Sequence, residues 1–436
     1  MAASFGDVKT HTQPMTTGLS RVGIPPRMIE SRRNFISSTT KTIAISSLAA
    51  MAQAQESNRV QLSQIHATDE KPETTPTLEE PDKQIGYAIV GLGRLSLNQI
   101  LPAFGRSKRS KPVALVSGDR DKAKKIASQY GIRDSAIYDY KTYDNLADNP
   151  EVQAIYIVLP NSMHAEFVIR GAKAKKHILC EKPMATSVED CEKMIAACAA
   201  ANVKLMIAYR QQYEPNNRAA SRLLSEGKLG APKQFIATNS QDQGDPTQWR
   251  LNRSLAGGGS MPDVGIYCLN AVRFLSKEEP IEVIASLYQP TSDERFKEVE
   301  ASCQFIARFP SGLTAICNSG YNAHKSQVYR IECERGFAEM NPAFGYVGNK
   351  LSWTQLVDGA DTKTQPSIGD KDQFALEMDH FSLCIQQNLQ PHTPGEEGLQ
   401  DQKIVAAIYE SARTGKPVKL SVPQKPTRGP EPKQEE

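Results

Sequence analysis

Short apolar runs recur along the first half of the folded sequence, and segments predicted to be helices separate them. Tyr87–Val90 and Ala154–Leu159 are continuous apolar runs of strand length, as expected for strands that are buried on both faces. Leu97–Phe104 and Ala165–Ala174 are predicted to be helices between such strands. Strands that alternate with helices predict a doubly wound parallel sheet in an α/β fold. The other predicted strands are Pro112–Val116, His177–Cys180 and Lys204–Ala208, and a further helix is predicted over Lys122–Tyr130.

The pattern changes near Lys233, where strand-like stretches follow one another with turn residues between them. This predicts a second, α+β domain with a mostly antiparallel open sheet. One helix is expected inside it over Pro262–Phe274, and a late helix is expected over Gly398–Arg413. Because such a sheet would keep one face free of its own helices, we expect a homo-oligomer, either a dimer or a tetramer. The predicted strands are Gln234–Thr238, Val283–Tyr288, Cys303–Phe309, Leu313–Asn318 and Gln327–Cys333.

The N-terminal 84 residues lack the patterning of a folded domain. Arg32-Arg33 and Phe35 precede a mildly apolar stretch, Thr42–Ala54, which ends in small residues of A-x-A type. This combination predicts a twin-arginine export signal over residues 1–54, with a disordered basic extension as the alternative. The stretch is too short and too polar to span a bilayer. The twin-arginine route carries folded proteins, so we expect a periplasmic location.

The rest of the chain divides by composition and pattern. Residues 55–84 are rich in Glu, Thr, Pro and Lys and are predicted to be an extended arm. The cofactor domain is expected over 85–210 and the substrate and oligomerisation domain over 211–420. Residues 421–436 are polar and are expected to form a frayed tail.

Composition excludes several classes of protein. Hydrophobic residues make up 39% and charged residues 23%, as in soluble globular proteins. The net charge of +3 is too small to predict a nucleic-acid partner or stable membrane association. The eight cysteines are scattered without metal-ligand spacing, so we expect buried free thiols and no metal site.

A glycine turn follows the first predicted strand. Gly91-Leu92-Gly93 lies between this strand and the next helix, which is the setting of a dinucleotide-binding motif. Gly91 permits a tight turn, and Gly93 lets a pyrophosphate approach the backbone at the start of the helix. Ser96 replaces the usual third glycine or alanine and is small enough for close helix–strand packing. The first domain is therefore predicted to be a Rossmann domain.

The end of the second strand indicates which dinucleotide is bound. NAD enzymes commonly place an acidic residue there for the ribose 2′-hydroxyl, whereas this strand ends in Ser117-Gly118. A hydroxyl and a turn, with Arg120 and Lys122 nearby, suit a 2′-phosphate. The sequence therefore favours NADP over NAD, although Asp119 is an argument for NAD.

Several motifs together resemble one family. Leu159-Pro160-Asn161 with His164, Glu181-Lys182-Pro183, and Gly257-Gly258-Gly259 with Asp263 and Tyr267 are similar to motifs of the glucose–fructose oxidoreductase, inositol dehydrogenase and rhizopine-catabolism family. The resemblance covers roughly residues 85–420 and is strongest to the glucose–fructose branch of that family. It implies a sugar oxidoreductase with a tightly held NADP. Met261-Pro262 departs from the family's pattern, so the resemblance leaves the sugar pair open.

The resemblance and the predicted strand ends together assign the site residues. Lys182, Asp263 and Tyr267 are the predicted catalytic residues, and Trp249, Arg250, Asp263 and Tyr267 are the predicted substrate-binding residues. Tyr267 would exchange the hydroxyl proton of the sugar, and the ammonium of Lys182 would stabilise its phenolate. Asp263, one helical turn before Tyr267, would hold a sugar hydroxyl. The residues predicted to bind the cofactor are Gly91, Leu92, Gly93, Arg94, Ser117, Gly118, Lys122, Leu159, Asn161, His164, Glu181, Lys182 and Arg210.

Structural roles remain open for several of these residues. Lys182 before a proline is also compatible with a surface lysine, and Tyr267 on an apolar helix with a core tyrosine. His164 is also compatible with a residue that only begins a helix. Trp249 and Arg250, like Arg210, suit either a sugar pocket or packing between domains. Whether the Lys182-Pro183 bond is cis cannot be read from the sequence.

The resemblance therefore implies an oxidoreductase that oxidises a glucose-like aldose to its lactone and reduces a fructose-like sugar to a polyol on one retained NADP. An aldose dehydrogenase that exchanges NAD(P), or an aldose–aldose oxidoreductase, is the enzyme alternative. A sugar-sensing binding protein is the non-enzyme alternative.

Overall fold

A six-stranded parallel sheet forms the first half of the molecule, and in this computed structural model residues 83–432 are described. The predicted export signal and nearly all of the predicted arm lie outside that range. The strand order is β3-β2-β1-β4-β5-β6, so the chain winds outward in both directions from β1 and confirms the predicted Rossmann fold. The strands are β1 (Ile85–Val90), β2 (Ser110–Val116), β3 (Ile137–Tyr138), β4 (Ala154–Ile157), β5 (His177–Glu181) and β6 (Leu205–Ala208).

Helices of ten residues or more cover this sheet and the next. Each packs through its apolar face. The helix His164–Lys173, for example, buries Phe167, Val168 and Ala172 in the core of the first sheet. These helices are α1 (Arg120–Gln129), α2 (His164–Lys173), α3 (Val188–Ala201), α4 (Pro215–Ser225), α5 (Ile266–Ser276), α6 (Gln373–Gln386) and α7 (Gly395–Thr414).

A nine-stranded sheet forms the second half, in the order β14-β13-β12-β11-β7-β10-β9-β8-β15. Only the pairing of its strands β7 and β10 is parallel, so the predicted mostly antiparallel sheet is confirmed. The strands are β7 (Pro232–Asp242), β8 (Glu282–Tyr288), β9 (Ser302–Arg308), β10 (Thr314–Gly320), β11 (Asn322–Cys333), β12 (Gly336–Met340), β13 (Leu351–Val357), β14 (Ala360–Thr364) and β15 (Val418–Lys419).

The two faces of this sheet differ sharply. Its inner face packs against α5 and α7 through buried residues such as Phe235, Phe305 and Cys317. On the outer face Ile236, Ile316, Ile306 and Ile284 lie side by side in register across four adjacent strands, and each is 40–42% exposed. We call these four residues the isoleucine row. The open face expected from the sequence is therefore present.

The chain returns to the first domain after the second sheet, which corrects the predicted boundaries of 85–210 and 211–420. Phe374, Met378 and Phe381 of α6 belong to the core of the first sheet. The hydroxyl of Tyr87 on β1 donates to the carbonyl of Met378 at 3.2 Å. The apolar pattern of α6 predicts a helix but does not indicate which of two cores will bury it.

The end of the chain is docked, so the expectation of a frayed tail is wrong for the residues described. Thr427 is buried and donates its hydroxyl to Glu397 at 2.7 Å. Arg428 lies 3.4 Å from the same carboxylate, which also receives the fully buried Arg273 at 2.8 Å. The backbone N–H of Gly429 donates to the carbonyl of His392 at 2.9 Å. The tail stays ordered because it helps to satisfy a buried cluster of charges.

Three expectations from composition can be compared with residues 83–432. The cysteines are free, and all but the partly buried Cys333 are buried, as predicted. No helix in this range has the length and hydropathy needed to cross a bilayer. The same residues contain no group of three or more Cys, His, Asp or Glu arranged to hold a metal ion.

Candidate active site

A cleft of about 560 Å³ opens at the carboxyl ends of the strands of the first sheet, facing β7 and β11. This is where parallel sheets bind ligands. Every predicted site residue lines the cleft except His164. The lining residues among those predictions are Gly91, Leu92, Gly93, Arg94, Ser117, Gly118, Lys122, Leu159, Asn161, Glu181, Lys182, Arg210, Trp249, Arg250, Asp263 and Tyr267.

The glycine turn has the geometry that a dinucleotide requires. Gly91 has a φ of +93°, and a Cβ there would lie 2.2 Å from the carbonyl oxygen of Val158. A Cβ on Gly93 would meet nothing within 4 Å, so this backbone is open to a ligand. Ser96 is fully buried and donates its hydroxyl to the carbonyl of Gly91 at 2.5 Å, which fixes the turn. These residues fit a pyrophosphate.

At the end of β2 the carboxylate of Asp119, which lines the cleft, is also engaged in a helix cap. The Asp119 carboxylate accepts a hydrogen bond from the backbone N–H of Lys122 at 2.9 Å and thereby caps α1. The hydroxyl of Ser117 accepts from the backbone N–H of Asp119 at 3.1 Å. Ser117, Gly118 and Lys122 remain on the cleft surface.

Tyr267 lies between two cations. The Nζ of Lys182 is 4.7 Å from the centre of the Tyr267 ring, and the Nε of Arg210 donates to its hydroxyl at 3.2 Å. The Lys182-Pro183 peptide bond is cis. Arg210 was predicted as a cofactor contact, with a sugar-pocket or packing role left open, and its bond to Tyr267 was not predicted. Both cations favour negative charge on the phenol oxygen.

Arg210 is held rigidly by the protein itself. Its guanidinium donates to the carbonyls of Phe344 at 2.8 Å and Gly345 at 3.1 Å, and to the side chain of Gln373 at 2.6 Å. It also stacks on the ring of Tyr346 at 4.5 Å. These three donor contacts fix the guanidinium, and with it the fourth, which reaches Tyr267.

Asp263 is surrounded by donors. Its carboxylate accepts from Lys182 Nζ at 3.1 Å, from Arg250 Nε at 3.1 Å and from the Tyr321 hydroxyl at 2.5 Å. Burial alone would raise the pKa of the Asp263 carboxyl, but Lys182, Arg250 and Tyr321 together hold it below its usual range. Burial likewise lowers the pKa of Lys182, and the charges of Tyr267 and Asp263 outweigh that effect, so its pKa is raised. Lys182 is therefore a stable cation at neutral pH.

The segment that carries Asp263 and Tyr267 is not one regular helix, as the sequence had suggested for Pro262–Phe274. Met261–Gly265 forms a π-helical turn, and the α-helix α5 begins only at Ile266. The carboxylate of Glu300 accepts from the backbone N–H groups of Gly259 and Met261, each at 2.9 Å, and so holds the start of this turn.

The glycines before this turn are required by packing. A Cβ on Gly259 would lie 2.0 Å from the carbonyl oxygen of Glu300, and one on Gly258 would lie 1.9 Å from the hydroxyl of Tyr409. The close approach explains why glycine occupies both positions.

His164 is a correction to the predicted cofactor contacts. It is fully buried, with one ring nitrogen 2.9 Å from the carbonyl of Leu159 and the other 3.0 Å from that of Pro183. It joins the loops after β4 and β5, which carry Asn161 and Lys182, and does not reach the cleft surface. Sequence position alone places it near the cleft and cannot show which way its ring points.

A buried pair of carboxyls lies behind the cleft. The hydroxyl of Tyr156 on β4 is 2.9 Å from Glu181 and 3.3 Å from Glu377 on α6. Burial raises the pKa of both carboxyls, and the charge of Glu181 adds to the effect on Glu377. One hydroxyl can give its single proton to only one carboxyl. Glu377 is therefore best satisfied as a neutral acid that donates to Tyr156.

Tyr321 and Glu300 were missed by sequence reasoning. Tyr321 follows β10 and Glu300 precedes β9, so both lie in the second sheet, far in sequence from the motifs that they support. No spacing rule connects them with Asp263 or Met261. A row of amide side chains along β7 was also missed, although Asn239, Gln241 and Gln243 recur at every second residue, which is a usable signal.

Comparison with known proteins agrees with the fold and the site. A parallel sheet with a glycine turn, and a tyrosine between two cations in its cleft, define a dinucleotide-dependent oxidoreductase. Residues 85–209 match the oxidoreductase family described as having an NAD-binding Rossmann fold, and residues 217–339 match the GFO/IDH/MocA C-terminal domain. The chain belongs to the Gfo/Idh/MocA oxidoreductase family, as the resemblance implied.

Named relatives cover almost the same part of the chain. The crystal structure of an aldose–aldose oxidoreductase from Caulobacter crescentus, complexed with glycerol, is 43% identical, covers 78% of this chain and all of that one, and has a TM-score of 0.75. D-xylose 1-dehydrogenase [NADP(+)] from Haloarcula marismortui is 32% identical over 78% of this chain and 94% of that protein. D-xylose 1-dehydrogenase (NADP(+)) 2 from Haloferax volcanii is 29% identical over 77% and 99% respectively.

Proposed function

We propose that this protein oxidises an aldose at C1 to its lactone and reduces a second sugar on the same retained NADP. The observation that carries the proposal is Tyr267, whose hydroxyl faces a dinucleotide cleft and receives a hydrogen bond from Arg210. The sequence had favoured a fructose-like second sugar. The 43% identity to an aldose–aldose oxidoreductase supports a second aldose in that role.

The residues of the cleft move the proton that accompanies hydride transfer. A nicotinamide bound here would accept hydride from C1 of the first sugar and later return it to the carbonyl carbon of the second. Tyr267, with its oxygen stabilised by Arg210 and Lys182, takes the C1 hydroxyl proton in the first half-reaction. It gives a proton to the carbonyl oxygen of the second sugar, so the two half-reactions leave the protein unchanged. Lys182 is held in place by both the carboxylate and the backbone carbonyl of Asp263.

NADP is favoured by the end of β2. Ser117, Gly118 and Lys122 face the cleft, and one oxygen of the Asp119 carboxylate, which also lines the cleft, is engaged as the cap of α1. The NADP-dependent xylose dehydrogenases among the relatives support the same choice.

Two measurements test the proposal. Purified protein should keep the absorbance of a nicotinamide cofactor through gel filtration, and released cofactor should be NADP. Reciprocal plots for two sugars without added cofactor should be parallel, as in a ping-pong mechanism. A protein that leaves the column without cofactor and turns over only when NADP is added would instead be a free aldose dehydrogenase. The likeness to the xylose dehydrogenases makes this the second candidate.

We also propose that residues 1–54 direct export of the folded, loaded protein to the periplasm. Arg32-Arg33 followed by Phe35 and the small residues before Ala54 support this. Replacing both arginines by lysine should leave the protein active in the cytoplasm and block its appearance in the periplasm. Unchanged export of that variant would argue for a different leader.

A further inference from the structure

The inner face of β7 changes character along the strand. Phe235 and Ala237 are buried in the core of the second sheet, and at the following inward positions the side chains become Asn239, Gln241 and Gln243. All three of these line the active-site cleft. Gln243 follows the last residue of the strand, and its backbone N–H still donates to the carbonyl of Tyr321 at 2.8 Å. One face of the strand therefore contributes core residues along its first part and a row of amides along its last part.

The neighbouring strand extends this row. Gln327 on β11 pairs with Asn239 and donates to its side chain at 3.3 Å. Asn239 in turn donates to the carbonyl of Val264, the residue after Asp263, at 3.0 Å. The amide row is thus fixed directly to the segment that carries the catalytic candidates.

Two members of the row have unused hydrogen-bonding capacity. Gln243 is only 2% exposed, and neither its side chain nor that of Gln241 makes a hydrogen bond to any residue within 83–432. Both amides line the cleft, where a ligand or water can supply the missing partners. Each amide both donates and accepts, as a sugar hydroxyl does.

The charges near the row indicate what kind of ligand it excludes. Arg94, which also lines the cleft, lies near Asp245, Arg250 is bound to Asp263, and Arg295 is bound to Asp242 and Asp293, so each of these cations already faces a carboxylate. Within the part of the chain that the structure describes, the wall formed by the amide row is neutral. A phosphate or carboxylate placed against it would lose hydration without gaining a counter-ion.

We propose that Gln241, Gln243 and Gln327 form a subsite for the hydroxyls of the sugar carbons remote from the reacting carbon. The subsite restricts the enzyme to uncharged aldoses and excludes sugar phosphates and sugar acids. This proposal rests on the proposed sugar oxidoreductase function.

The test uses the holoenzyme and follows reduction of its bound cofactor in a single turnover. The probes are glucose, glucose 6-phosphate and glyceraldehyde, which lacks the remote carbons. Gln243→Leu and Gln241→Leu should each lower the second-order rate constant for glucose about 10-fold and change that for glyceraldehyde less than about 2-fold. The wild type should react with glucose 6-phosphate at least about 10-fold more slowly than with glucose. Gln387→Leu, at an exposed glutamine after α6, is the matched control and should behave as wild type.

The outcomes separate this proposal from the one on which it rests. Equal losses for glucose and glyceraldehyde, or no loss for glucose in correctly folded variants, would overturn the subsite. Equal rates for glucose and its phosphate would overturn the restriction to uncharged sugars. A wild type whose cofactor no aldose reduces would overturn the proposed function itself, and thermal unfolding of each variant shows whether it is folded.

Discussion

At the scale of single residues, the central feature is that Asp263 pairs with two cations of the cleft, Lys182 and Arg250. Its carboxylate receives Lys182, Arg250 and Tyr321, so it holds Lys182 against the ring of Tyr267. The sequence assigned Asp263 mainly to a sugar hydroxyl. The structure gives it a positioning role as well, because three donors already surround it.

Removal of the Tyr267 hydroxyl should abolish proton exchange without disturbing the cofactor. We expect Tyr267→Phe to retain bound NADP and to lose about 10²–10⁴-fold in turnover, as for loss of a general acid–base group. Cofactor content by absorbance and steady-state rates would measure both. Tyr288→Phe, at a tyrosine that is 54% exposed on the second sheet, is the control. Turnover of Tyr267→Phe within a few-fold of wild type would show that Tyr267 is not the group that exchanges the proton.

The neutral state of Glu377 predicts how stability depends on pH. Burial and the charge of Glu181 raise the pKa of Glu377, so the folded protein keeps a proton that the unfolded chain releases. Stability from this group is complete below the ordinary glutamate pKa and is lost as pH rises toward the folded-state pKa. Glu377→Gln should therefore gain stability relative to wild type as pH rises from about 5 to about 8.

Urea unfolding at both pH values measures this difference. Glu410→Gln, at an exposed glutamate on α7, provides the control for removal of a carboxylate. If Glu377→Gln instead loses stability relative to wild type as pH rises, the folded protein requires an ionised Glu377.

At the scale of elements, α6 joins the two ends of the folded chain. Asp379 accepts from the backbone N–H groups of Lys108 and Arg109, each at 2.8 Å, and from the Ser107 hydroxyl at 2.5 Å, just before β2. The same helix begins with Gln373, which holds Arg210, and carries Glu377. One helix therefore both closes the first domain and supports the active site.

Loss of the Asp379 carboxylate should destabilise the first domain. Asp379→Ala removes the acceptor of the backbone N–H groups of Lys108 and Arg109 and of the Ser107 hydroxyl, so we expect a loss of about 1–3 kcal/mol in the free energy of unfolding. Urea denaturation would measure it, with the exposed Asp370→Ala as the control. Equal stability of the two variants would contradict the proposed attachment of α6.

The sequence predicted the elements better than their contacts. The apolar strands of the first sheet and the motifs after β1, β4 and β5 are local signals, and nearly all of the residues that they indicated line the cleft. The π-helical turn at Asp263, the partner Tyr321 and the docking of α6 depend on residues far apart in the chain. Periodicity shows that a helix or strand has a buried face, but it does not show what covers that face.

At the scale of the whole molecule, the isoleucine row supports the predicted homo-oligomer. Thr314 and Asn318 on β10 and Thr238 on β7 are uncharged neighbours of the row. The charged neighbours Arg308 and Arg330 are each paired with a carboxylate, Glu282 and Glu332 respectively. An apolar strip whose flanking charges are paired within one copy can meet its own copy about a two-fold axis. We propose that two copies associate through it.

A charge in this row should separate the copies. Ile316→Glu is expected to shift the mass measured by light scattering to that of the monomer, because burying an unpaired carboxylate costs more than the association gains. Leu389→Glu, at an apolar residue that is 45% exposed outside this sheet, is the control. An oligomer that survives Ile316→Glu would place the interface elsewhere.

The late position of α6 in the chain also has a consequence for biosynthesis. A ribosome has made the whole first sheet long before it adds Gln373–Gln386, so the nascent chain must wait with β1 incompletely covered and Arg210 without Gln373. The nucleotide cleft therefore matures near the end of translation. A prematurely terminated chain would lack the helix that completes the core of the first sheet and holds Arg210 in the cleft.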